Sequence, residues 1–161
     1  MKKKLYIETS VWNQLEHEDR PDWKETAELF FKTVRAGYYE AYISSVVIDE
    51  ILATTDQQRQ HRLAQHINTV QPIALEMNKE AAELTQHYIA KEFGFGVSQR
   101  VYRDCSHVAI ATVHGIKHIV SFNCKHLVND RRIDVFNATN IQNGYDHIVD
   151  ISTPHKFCEI F

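Results

Sequence analysis

No apolar run in the sequence approaches the ~20 residues that a membrane-spanning helix needs, so no transmembrane segment is expected. Glycine (5) and proline (3) are scarce, which excludes collagen-like and low-complexity chains. The three cysteines, Cys105, Cys124 and Cys158, are odd in number and lack CxxC spacing. They fit a reduced, cytoplasmic protein with core or surface thiols, and Cys124-Lys125-His126 is too short a cluster to indicate zinc. Positive charge is not in excess: 18 Lys and Arg against 21 Asp and Glu leave a net charge of -3. That argues against a protein that coats DNA, but not against an enzyme with one local basic groove. There is no internal repeat. No Gly-x-Gly-x-x-Gly follows the first β-prone run, which disfavours a dinucleotide-binding domain. No clustered aspartates with a phospho-acceptor Asp and a paired Lys are visible, which disfavours a receiver domain. The basic start Met1-Lys2-Lys3-Lys4 leads into an apolar stretch broken at once by Glu8, so a secretory leader is not expected.

What is present suits one globular domain over residues 1–161, with 43% hydrophobic residues and enough chain for a core without disulfides. Short β-prone runs occur at Lys4–Ile7, Tyr39–Ile43, Thr69–Ile73, His118–Ser121 and Asp146–Ile151. Pro72 places the third of these at a sheet edge. Between them the apolar spacing predicts helices from Pro21 to about Val34, from Ser45 through Leu52, over Asp56–Ile67, Asn78–Lys91, Arg103–His114, Cys124–Asn129 and Val135–Asn143. Alternating strands and helices predict an α/β fold with a largely parallel sheet covered on both faces. The tail Ser152–Phe161 is expected to pack across the domain through Phe157, Ile160 and Phe161.

In such sheets, ligands bind beyond the carboxyl ends of the strands. Glu8 ends the first run, Glu50 lies in the helix after the second, Asp104 lies at a helix start, and Asn123 follows the fourth run. Grouped carboxylates repel one another, and a hard divalent cation is the simplest relief. Each residue also has a plainer role. Glu8 can cap the next helical turn, and Asp104 can favour a helix N-terminus. Glu50 is the most telling, because a carboxylate within an apolar helical run is costly to bury unpaired.

At these residues the chain resembles the PIN-domain family, in its VapC-like toxin branch. Leu5-Tyr6-Ile7-Glu8-Thr9-Ser10-Val11 resembles the opening strand and first acidic site, where Asp is usual. Ser45-Val46-Val47-Ile48-Asp49-Glu50-Ile51 resembles the second site, and Asp104-Cys105-Ser106-His107-Val108-Ala109-Ile110-Ala111-Thr112 the third. Ile119-Val120-Ser121-Phe122-Asn123-Cys124-Lys125-His126 resembles the fourth strand and its extension. Asn137, Asn140, Gly144-Tyr145 and Ile151-Ser152-Thr153-Pro154 resemble the C-terminal end of that branch. The resemblance spans nearly the whole chain. It implies a three-layer α/β/α sandwich and a Mg²⁺- or Mn²⁺-dependent endoribonuclease. Glu8, Glu50 and Asp104 would be the metal ligands, and Asn123 would complete the catalytic set. Many relatives are toxins neutralised by a small antitoxin protein, and many are homodimers. RNA cleavage is expected without a covalent intermediate, leaving 5′-phosphate and 3′-hydroxyl ends.

Thr9 or Ser10 would orient the site, and Arg100, Arg103, Lys125, Lys117, Arg131 and Arg132 are candidate phosphate-holding cations. Tyr102 or Phe95 are candidate base-stacking residues, and His107 is expected to make a structural hydrogen bond rather than bind a hard cation. Two departures from the family pattern, Glu8 for Asp and Asn123 where many active relatives carry Asp, favour the alternative reading. That alternative is a catalytically weak or inactive PIN-like module that binds RNA or protein.

Overall fold

The computed structural model describes residues 1–161. The chain runs β1 (Lys3–Ile7), α1 (Thr9–Gln14), α2 (Pro21–Arg35), β2 (Tyr39–Ser44), α3 (Ser45–Leu52), α4 (Gln57–Val70), β3 (Ile73–Leu75), α5 (Lys79–Glu92), α6 (Gln99–Val113), β4 (His118–Val120), α7 (Asp130–Gln142) and β5 (Asp150–Ser152). A 3-10 turn, Pro154–Phe157, follows. All strand pairs are parallel, in the order β3-β2-β1-β4-β5. Leu5, Tyr6 and Ile7 of the central strand are fully buried, as expected for a strand with helices over both faces. On one side α5 packs against α6 and α7; on the other, α1, α2 and α4 pack together. The result is an α/β/α sandwich with one contiguous apolar core.

The topology fixes where a site can form. From β1 the chain moves outward to β2 and β3, then returns across the sheet to β4 and β5. The order therefore reverses beside β1, and the crevice opens beyond the carboxyl ends of β1 and β4. Glu8 directly follows β1, and Ser121 to Asn123 directly follow β4.

Several boundaries differ from the sequence expectation. The helix expected from Arg103 begins at Gln99, because the Ser98 hydroxyl caps it by accepting from Val101 N. Asp104 therefore stands in the second turn and gains little from the helix N-terminus. Of the strand expected at Thr69–Ile73, Thr69 and Val70 are helix and only Ile73 is strand. α4 runs to Val70 and closes on Gln71 in the left-handed region (φ 56°), and β3 starts after Pro72, at the sheet edge. Cys124–Asn129 forms turns instead of a helix: Leu127 N makes one helix-type bond to the Asn123 carbonyl (3.0 Å), but Val128 N returns to that same carbonyl (2.9 Å) instead of Cys124, and Asn129 N bonds Leu127 O (2.9 Å). The next helix starts at Asp130, earlier than the expected Val135, since Asn129 caps it through Arg132 N at 3.1 Å. The last strand is Asp150–Ser152. In the tail, Phe157 is buried as expected, but Ile160 and Phe161 are exposed.

Candidate metal centre and cleft

A cleft of about 660 Å³ lies at the predicted crevice, and Glu8, Glu50, Asp104 and Asn123 all line it. Four separate elements bring them there. Glu8 caps α1, Glu50 sits in α3, Asp104 in α6, and Asn123 in the turn after β4.

Glu8 is buried and heavily engaged. Its Oε1 accepts from the hydroxyls of Ser10 and Ser121, each at 2.5 Å, while Oε2 accepts from Ser10 N at 3.2 Å. The plainer role, capping of the next helical turn, is therefore real. The two serine hydroxyls lie 3.3 Å from each other and hold the same carboxylate oxygen. Ser10 Oγ also accepts from Phe122 N at 2.9 Å, and Ser121 Oγ from Asn123 N at 2.9 Å, tying the segment after β4 to the same carboxylate.

Glu50 Oε1 accepts from Thr9 Oγ1 at 2.8 Å and from His107 Nε2 at 2.6 Å. His107 lies one turn beyond Asp104 and is fully buried. It thus makes the structural hydrogen bond expected of it. Burial raises the Glu50 pKa, but the His107 hydrogen bond and charge, the Thr9 hydroxyl and the Arg103 charge outweigh it, so Glu50 lies below the ordinary carboxylate value. Burial lowers the His107 pKa, yet the Glu50 hydrogen bond and the charges of Glu8, Glu50 and Asp104 outweigh it, and the net shift is upward.

Asp104 is the least satisfied member. Burial, then repulsion from Glu8, raises its pKa to about 6. Asn123 Nδ2 donates to its Oδ1 at 3.4 Å, and its buried Oδ2 has no partner. An unpartnered buried oxygen lining the same cleft as two further carboxylates has the chemistry to accept a hard cation. The tightest triple of ligand-type atoms is Glu8, Glu50 and His107, all within 4.8 Å of one another. Because the His107 ring is already bonded at both nitrogens, the carboxylates are the better donors for a hard ion. The donor set fits a divalent cation.

The cation candidates separate cleanly. Arg100, Arg103 and Lys125 line the cleft and form no ion pair. Lys117 does not line it. Arg131 and Arg132 are turned to Glu92, at 2.6 Å and 3.3 Å. Neither expected stacking residue is at the cleft: Phe95 is fully exposed elsewhere, and Tyr102 packs against the core. The aromatic wall is instead Trp23, stacked on Phe122 at 4.7 Å and covered on its other face by the Arg20 guanidinium at 3.8 Å. In the sequence Trp23 is simply the first apolar position of a helix, and no local pattern distinguishes that role from a place in the cleft.

The C-terminal asparagines of the resemblance are structural here. Asn137 ties α7 to the segment before β5, accepting from Val149 N (2.9 Å) and donating to Val149 O (3.0 Å). Asn140, buried in α7, accepts from the Tyr88 hydroxyl and donates to Thr112 Oγ1 at 3.3 Å.

No protein-family model and no curated protein matches the chain in sequence. Solved structures match it in shape. One is FitAcB from Neisseria gonorrhoeae, at 12% identity over 93% of this chain and 97% of that one, with a TM-score of 0.55. Another is VapC20 from Mycobacterium tuberculosis, described as a sarcin-ricin loop cleaving toxin, at 16% identity over 91% and 99%, with a TM-score of 0.54. The chain therefore shares its α/β/α fold with these two structures.

Proposed function

We propose that residues 1–161 act as one PIN-like domain with divalent-cation-dependent endoribonuclease activity, serving as the toxin of a toxin–antitoxin pair. The observation that carries this reading is the meeting of Glu8, Glu50 and Asp104 in one cleft, with Asp104 Oδ2 buried and unpartnered. Glu8, Glu50 and Asp104 would hold Mg²⁺ or Mn²⁺. A cation so held supplies Lewis-acid activation of water and neutralises charge on the phosphoryl group. Asn123 steadies Asp104 and the turn after β4. Arg100, Arg103 and Lys125 hold the RNA backbone by charge-assisted bonds to phosphate, which a chain of net charge -3 offers only locally.

VapC20 is described as cleaving the sarcin-ricin loop, which supports RNA as the substrate class. A toxin that acts within its producing cell requires a neutralising partner, and we assign that role to a small antitoxin protein. Cytoplasmic location follows from that assignment; no helix is long and apolar enough to cross a membrane. We also propose a homodimer, for which the exposed Ile48 and Leu52 of α3 supply apolar surface.

A second reading, a PIN-like module that binds RNA or protein with little or no turnover, has one observation in its favour. Glu8 is committed to Ser10 and Ser121, and Asn123 adds no charge. The two are separated by incubating purified protein with structured and single-stranded RNAs in Mg²⁺, in Mn²⁺ and in EDTA. Cleavage that stops in EDTA and leaves 5′-phosphate ends supports the nuclease. RNA retention without cleavage in either metal supports the binding module.

A further inference from the structure

Three fully buried polar side chains have no part in the chemistry above: Tyr6, Ser44 and His107. They form one hydrogen-bonded chain. Ser44 Oγ lies 2.7 Å from Tyr6 Oη, Tyr6 Oη lies 2.6 Å from His107 Nδ1, and His107 Nε2 lies 2.6 Å from Glu50 Oε1. An ionised carboxylate can only accept, so the proton between His107 and Glu50 belongs to Nε2.

The chain closes on itself. Ser44 is the cap of α3, accepting from Val46 N at 3.2 Å, and α3 is the helix that carries Glu50. The cap of the helix and the carboxylate on it are thus joined by a second route, through Tyr6 on β1 and His107 on α6. Thr9 occupies the same Glu50 oxygen. Oε1 is held by two donors from two elements, and Oε2 has no hydrogen-bond partner within the protein. A flexible glutamate is thereby fixed in one orientation with one oxygen free.

We propose that Tyr6 and His107 are positioning residues for Glu50, holding its carboxylate so that Oε2 is presented to a divalent cation. This rests on the reading of Glu50 as a cation ligand. Groups behind a metal ligand typically change metal affinity 10–100-fold when removed. Tyr6→Phe deletes one hydroxyl and keeps the ring, so the β1 core is preserved. His107→Leu removes the donor to Glu50, and His107→Gln restores an N–H that can reach it.

The test is Mn²⁺ titration of each full-length variant, read by loss of the free-ion electron paramagnetic resonance signal, with Glu50→Gln as reference. Circular dichroism and melting of the metal-free proteins establish which variants are folded. Tyr6→Phe is expected to weaken Mn²⁺ binding about tenfold, His107→Leu up to about a hundredfold, and His107→Gln to recover most of that loss. In metal-free wild type, the imidazole nitrogen spectrum is expected to show a proton on Nε2.

Wild-type Mn²⁺ affinity in folded Tyr6→Phe overturns the proposal, as does a bare Nε2, even where Glu50→Gln has lost binding. Wild-type affinity in Glu50→Gln overturns the reading of Glu50 itself, and the proposal with it. If His107→Leu does not fold, Tyr6→Phe and the wild-type imidazole spectrum decide.

Discussion

Asn123 Nδ2 stands 3.4 Å from Oδ1 of Asp104 and is the one hydrogen-bond donor that this carboxylate has; the other oxygen, Oδ2, is buried without a partner. An ionised aspartate in that position is a cost to the metal-free fold. Folded Asp104 keeps its proton up to about pH 6, whereas an unfolded aspartate loses it near pH ~4. The folded state therefore binds the extra proton between those values. This group's contribution to stability is full at low pH and is lost as pH rises from about 4 to about 6. Asp104→Asn removes the dependence. Urea unfolding in EDTA should find the variant more stable than wild type above pH 6, by on the order of 1–3 kcal/mol. The gap should close toward pH 4; a pH-independent difference would contradict the assignment.

A cation should reverse that order. Ions that bind only the folded state stabilise it by mass action. Mn²⁺ should raise the melting temperature of wild type and leave Asp104→Asn nearly unmoved. Because the proton competes with the ion for Asp104, Mn²⁺ affinity should fall as pH drops below about 6 and level off above it. Calorimetric titration at several pH values measures both.

Asn123→Asp tests the neutral position. An aspartate keeps the acceptor for His126 N, which Asn123 Oδ1 now bonds at 3.0 Å, but loses the donor to Asp104. The metal-free variant should be less stable than wild type, by about 1 kcal/mol. Its Mn²⁺ affinity should be higher, roughly tenfold, because ligand charge has increased. Lower affinity with an intact fold would place Asn123 outside the cation's reach.

The basic wall makes a prediction about salt. Arg100→Ala, Arg103→Ala and Lys125→Ala should each weaken binding of single-stranded RNA. Each should also flatten the slope of log affinity against log salt, by about 0.7 for every phosphate left without its cation. Arg131→Ala is the control, since Arg131 is paired with Glu92 outside the cleft. Fluorescence anisotropy at several salt concentrations separates the two groups.

Asn140→Ala addresses the fold alone. Removing this buried side chain leaves the Tyr88 hydroxyl without its acceptor and Thr112 without its donor. A loss of about 1–3 kcal/mol is expected, with Mn²⁺ affinity unchanged in the folded fraction. Weakened metal binding there would mean that the site and the α5–α7 layer are coupled.

Much of this arrangement is legible in the sequence because its signals are local. β1 and β2 are short β-prone runs ending in polar residues, and α2 opens on Pro21. Glu50 stands out as a carboxylate in an apolar helix, and the alternation of elements places all four site residues at one end of the sheet. What is not legible depends on distant partners. Tyr6 and His107 are 101 residues apart, and Tyr6 reads as an ordinary strand aromatic. The turn after Asn123 has helical apolar spacing and even begins with a helix-type bond and an Asn123 side-chain cap, but the Val128 and Asn129 amides bond the Asn123 and Leu127 carbonyls and end it within one turn. The cleft cations can be proposed from sequence but not sorted, because the partner that removes Arg131 and Arg132 is Glu92 on another helix.

The most direct test of the central claim is RNA cleavage by wild type and Asp104→Asn, purified identically and compared in Mn²⁺ and in EDTA. The account predicts cleavage by wild type in Mn²⁺, none in EDTA, and none by a folded Asp104→Asn under either condition. Equal cleavage by the two proteins, or wild-type cleavage that survives EDTA, would contradict it.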